Sequence, residues 1–60
     1  MKEKEIINFL IEGKNKNEIA AELNLSRSEV EIEINKIYEK YQVNNRIQLA
    51  IAYNHNSKVN

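Results

Sequence analysis

Apolar residues recur at three- and four-residue intervals through most of the chain, the period of helices that bury one face. Ile6, Phe9 and Leu10 set this spacing in a first helix expected over Lys2 to Glu12, with Ile7 and Ile11 widening its apolar stripe. Gly13 follows and should stop the helix, because glycine enters the left-handed conformation without a steric cost. A second helix is expected to open at Asn15, where Asn15-x-x-Glu18 pairs a good N-cap with a carboxylate three residues on. Ile19, Ala20 and Leu23 make its inner face, and Leu23 is expected to be fully buried where this helix meets the next.

Asn24 comes next, a residue that tolerates the left-handed turn better than other non-glycine residues, and Leu25 should plug that turn. Ser26-x-x-Glu29 is a full capping box and starts a third helix reaching about Gln42. Its core stripe is Val30, Ile34, Ile37 and Tyr41. Asn45-x-x-Gln48 caps a fourth helix carrying Leu49, Ala52 and Tyr53. From Asn54 the chain is polar, so the domain is expected over 1–54 and a flexible tail over 55–60.

Four short helices with short connections predict a compact all-α domain. The second and third have helix-turn-helix spacing. Ala20 allows close approach, Asn24 redirects the chain, and Val30 locks the third helix onto the second. Many helical hairpins meet that pattern, so it narrows the fold more than the function.

Composition agrees with helices: proline is absent, there is one glycine, and Glu, Lys, Leu, Ala and Ile fill the chain. Sixty residues bury only ~60% of the unfolded surface, which makes the core marginal. With no cysteine and a lone His55, neither a disulfide framework nor a metal site is expected. No apolar run approaches the ~20 residues of a membrane span, and Met1-Lys2-Glu3-Lys4-Glu5 lacks the features of a secretory signal. A cytoplasmic protein without cofactor or membrane partner is expected. The formal net charge of zero means that any nucleic-acid contact must use clustered cations rather than an overall excess.

Three blocks carry a family likeness. Glu5-Ile-Ile-Asn-Phe-Leu-Ile-Glu-Gly-Lys resembles the E-V-L-x-L-L-A-x-G-K opening of LuxR/GerE-type domains in bacterial transcription regulators. Asn17-Glu-Ile-Ala-Ala-Glu-Leu-Asn-Leu-Ser is similar to their K-E-I-A-x-x-L-x-I-S, and Ile37-Tyr-Glu-Lys-Tyr-Gln-Val-Asn-Asn-Arg resembles I-Y-x-K-L-x-V-x-N-R. The intervals agree without a gap from about Lys2 to Tyr53. The resemblance implies a four-helix fold whose third helix enters the DNA major groove and whose fourth mediates dimerisation. It further implies a regulator acting here without a sensor domain.

The third helix departs from the family pattern. Where S-x-x-T-V-K-x-H is usual, Ser26-Arg-Ser-Glu-Val-Glu-Ile-Glu puts Glu29, Glu31 and Glu33 at the Thr, Lys and His positions. The usual Leu-Thr cap before the first helix is also missing. With Val30, Ile34, Ile37 and Tyr41 facing inward, 100° steps place Ser28, Ile32, Asn35 and Glu39 outward, with Glu31 toward one edge and Lys36 toward the other. By family correspondence Glu31, Ile32 and Asn35 fall where bases are read. A carboxylate can accept from cytosine N4, Asn can pair with adenine, and Ile can touch a thymine methyl.

Affinity for duplex DNA rests largely on cations that replace counterions. Lys16, Arg27, Lys36 and Arg46 are the cations expected to serve, beside Lys14 and Lys40, with exposed N–H groups at the helix starts near Asn15, Ser26 and Asn45. Arg46 divides evenly between a phosphate contact and a structural, cap-linked ion pair. The acidic face supports a rival reading, an interaction module that pairs with another LuxR-type regulator or transcription protein and grips DNA poorly. Alternate glutamates do not share a helix face and read as solvated charge, not a metal site. Ile47 and Ile51, at i and i+4, are either core or an exposed dimer stripe, with Ile7 or Ile11 as lesser contributors. Tyr38 and Tyr53 read as half-buried packing residues, and no nucleophile, base and oxyanion set marks an enzyme.

Overall fold

The computed structural model describes the backbone of residues 2–59 and the side chains of residues 3–55. Four helices follow one another: α1 Lys2–Glu12, α2 Lys16–Leu23, α3 Arg27–Tyr41 and α4 Arg46–Val59. The fold is all-α, and no strand occurs among the described residues. None of their helices is long and apolar enough to cross a membrane. The backbone of α4 continues past Asn54, where the sequence pattern turns polar. The tail expected over 55–60 falls mostly on side chains outside the described residues.

Helix starts are fixed by side chains. Asn15 Oδ1 accepts from the Glu18 N–H at 2.8 Å while Glu18 Oε1 accepts from the Asn15 N–H at 2.9 Å. The same reciprocal pair joins Ser26 and Glu29 at 3.1 and 2.9 Å. At α4 the device is displaced by one residue. Asn45 Oδ1 accepts from the Gln48 N–H, but the Gln48 side chain reaches back to the Asn44 N–H, both at 2.9 Å. Each bond satisfies a donor that helix geometry leaves open.

Helices α1, α2 and α3 end alike. The N–H of the residue in the left-handed turn donates to the carbonyl three residues back, and the following N–H donates to the carbonyl five residues back. For α1 these bonds are Gly13 to Leu10 and Lys14 to Phe9; for α2, Asn24 to Ala21 and Leu25 to Ala20; for α3, Gln42 to Glu39 and Val43 to Tyr38. This is the Schellman arrangement. Gly13, Asn24 and Gln42 hold φ of 97°, 57° and 56°. The residue after each turn packs back on its helix: Leu25 and Val43 against the core, and the Lys14 ammonium over the Phe9 ring at 5.9 Å.

The core contains Ile6, Ile7 and Leu10 of α1, Ile19 and Ala20 of α2, Val30, Ile34 and Ile37 of α3, and Leu49 of α4. Helix α2 packs on α3, and α1 packs on both α3 and α4. Expectations for four residues need correction. Ile7 is core, so it cannot serve a surface stripe. Leu23 is half-buried, because the core between α2 and α3 is filled by Ile19, Val30 and Ile34, and Phe9 is half-buried on α1, with the Lys14 ammonium over its ring. Tyr41 also stays half-buried, its ring meeting Tyr53 edge-on at 6.1 Å. Tyr38 and Tyr53 are half-buried as expected. Lys40 ties the end of α3 to the start of α1 through Glu3 at 3.0 Å, and that hydrogen bond and charge raise the Lys40 pKa.

Candidate nucleic-acid interface

The capping box at Ser26 and the left-handed turn at Asn24 aim α3 away from α2, and the buried Val30–Ile34–Ile37 stripe fixes its rotation. What remains outward is the face carrying Ser28, Ile32 and Asn35, all exposed. Ile32 is 54% exposed, an unusual position for a large apolar side chain. It lines a small hollow with Leu25, Glu29 and Glu33. Lys36 is exposed on the same side.

The opposite edge of α3 is organised by charge. Lys16, at the first turn of α2, reaches Glu31 with Nζ 3.2 Å from Oε2. Arg27, one helical turn before Glu31, places Nε 3.9 Å from the same oxygen. The three side chains are 44% (Lys16), 63% (Arg27) and 45% (Glu31) exposed, so both pairs sit in water and each is worth ~0–1 kcal/mol. Glu31 thus bridges the two helices of the helix-turn-helix at the point where the family pattern has a lysine.

Next to that bridge lies a hollow lined by Asn15, Lys16, Asn17, Arg27 and Arg46. Three cations and the start of α2 converge there, and among the described residues no acidic side chain lines it. Arg46 is half-buried, and its guanidinium donates to the Leu10 carbonyl at 3.4 Å. The structural role of Arg46 thus takes the form of a hydrogen bond to the C-terminal turn of α1 rather than the expected ion pair. Its position in the hollow leaves a phosphate role compatible with it.

The structure gathers Lys16, Arg27, Glu31 and Arg46 on one side of α3 and leaves Ser28, Ile32, Asn35 and Lys36 uncovered on the outer side. The bridge from Lys16 to Glu31 was not anticipated from the sequence. Its signal was the pairing of a lysine at the first position of α2 with a glutamate where a cation is usual. Ile47 and Ile51, one turn apart on α4, are 71% and 67% exposed, which rules out the core alternative for both. Ile11 is partly exposed on α1.

No curated protein and no solved structure matches the chain. A family model does: residues 1–53 match the GerE model, described as bacterial regulatory proteins of the luxR family. The match spans all four helices, including both halves of the helix-turn-helix and the first turns of α4. The chain therefore belongs to the LuxR family of bacterial regulatory proteins, a family of DNA-binding transcription regulators with an all-α helix-turn-helix domain.

Proposed function

We propose that this chain regulates transcription by binding duplex DNA as a homodimer, with α3 in the major groove. The observation that carries the reading is the uncovered outer row Ser28, Ile32 and Asn35, flanked by the cation-lined hollow of Lys16, Arg27 and Arg46 on one side and Lys36 on the other. Phosphate contacts hold a protein in register, and base-edge contacts confer sequence preference. In this arrangement Lys16, Arg27, Lys36, Arg46 and the open N–H groups at the start of α2 supply the first. Asn35, Ile32 and Glu31 supply the second, toward adenine, a thymine methyl and cytosine N4 respectively.

Dimerisation rests on Ile47 and Ile51. Two large apolar side chains at helical spacing, each about two-thirds exposed, gain from being covered. A two-fold contact between α4 helices would cover both at once and present two α3 helices to successive turns of a duplex.

Fluorescence titration against random and genomic duplexes, at low and physiological salt, tests the reading. Tight, sequence-selective binding that weakens steeply with salt is the expected result. No duplex binding even at low salt would overturn it and leave a domain that meets other transcription proteins through its acidic α3.

A further inference from the structure

The geometry points to Glu31 as an internal stand-in for a DNA phosphate, a specificity-determining residue that keeps Lys16 and Arg27 occupied until a duplex displaces it. This inference rests on the DNA-binding reading above and concerns how that binding is regulated from within the domain.

The carboxylate Oε2 takes both Lys16 Nζ and Arg27 Nε, at 3.2 and 3.9 Å. A phosphate oxygen approaching the hollow between α2 and α3 would seek the same two donors, because Lys16 and Arg27 both line that hollow. Both pairs are exposed, so exchanging the carboxylate for a phosphate costs little. The exchange still leaves Glu31 without its cations and beside a polyanion. Either the two cations stay on Glu31 and contact fewer phosphates, or Glu31 is released and takes up a cation from solution. Each route makes binding weaker and less steeply dependent on salt. Neither depends on base sequence, so the penalty falls on every duplex. It is offset only where a base edge offers Glu31 a donor, and cytosine N4 is the donor the major groove provides. Glu31 therefore lowers the non-specific background more than it lowers binding to a matching site.

The test compares parent, E31Q, K16Q and the E31Q/K16Q double variant on a random-sequence duplex pool between about 0.05 M and about 0.2 M salt. Circular dichroism confirms that each is folded. E31Q is expected to bind tighter than the parent, by up to about fivefold for one exposed pair lost and up to about thirtyfold for two. The slope of log affinity against log salt should steepen by about 0.9 for each phosphate gained. K16Q should weaken E31Q more than it weakens the parent, since only in E31Q is Lys16 wholly available to DNA. Binding by E31Q where the parent binds nothing even at the lowest salt would overturn the DNA-binding reading, and with it the inference that a duplex displaces Glu31 in the parent. If the parent binds and E31Q shows the same affinity and slope, the inference fails while the DNA-binding reading stands. If E31Q and the parent both ignore duplex at the lowest salt, the DNA-binding reading fails and takes the inference with it.

Discussion

Asn24 and Gln42 hold the same left-handed backbone conformation, with φ of 57° and 56°, at the ends of consecutive helices. The two residues differ in how well they bear it. Asn is among the side chains that visit this region most readily, whereas Gln has no such advantage. The strain released by glycine at position 42, ~1–2 kcal/mol, exceeds the ~0.4–1 kcal/mol that glycine adds to unfolded-chain entropy. Gln42→Gly should therefore raise the melting temperature by about 2–6 °C. Asn24→Gly should change it by less. A calorimetric scan in which Asn24→Gly is the larger stabiliser would show that strain does not set the order.

The packing makes a graded prediction for two leucines. Leu49 is the buried core residue of α4, so Leu49→Ala should cost ~2–5 kcal/mol, near the whole stability of a domain this small. Leu23 is half-buried beside the core, so Leu23→Ala should cost only ~1–2 kcal/mol and leave a folded domain. Urea melts read both values. Equal losses would mean that the α2–α3 contact carries more of the core than its burial indicates.

Ile51→Lys should yield a folded monomer. Its side chain is 67% exposed, so the charge enters water and not the core, while any α4–α4 contact would have to bury two like charges. Sedimentation of parent and variant distinguishes the outcomes. A parent that is monomeric at high concentration would end the homodimer proposal.

Arg46 joins two jobs that one substitution can separate. Arg46→Met keeps most of the apolar stem but removes the donor to Leu10. The Leu10 carbonyl still accepts the Gly13 N–H, so it is not orphaned, and the stability loss should stay within ~1 kcal/mol. Duplex binding should nevertheless fall for every sequence, with the salt slope shallower by about 0.9. An unchanged slope would restrict Arg46 to its structural bond.

Much of the fold was legible because local chemistry and hydrophobic period agreed. Asn15-x-x-Glu18 and Ser26-x-x-Glu29 marked two helix starts that the structure reproduces atom for atom. The apolar stripe of α3 identified three of its buried residues. Gln42 was not legible as a turn residue, because nothing in its side chain favours a left-handed backbone; the core contact of Val43 holds it there. Leu23 and Ile7 were misplaced for a shared reason. Periodicity ranks faces of one helix but cannot say which of two apolar residues at a stripe's edge another helix will cover. The candidate interface was legible residue by residue, but its connection was not. Glu31 reads as a solvated acid until α2 brings Lys16 to it from fifteen positions away.

The pairing of α1 with α4 sets an order of assembly. Helices α2 and α3 meet across a few residues of turn, but the Leu10 carbonyl waits for an arginine thirty-six positions later. Ile6, Ile7 and Leu10 are made well before Leu49, which belongs to the same buried core. Until α4 is available, the apolar face of α1 lacks the cover that α4 gives it. A chain halted before Leu49 would leave that apolar face open to chaperones and proteases.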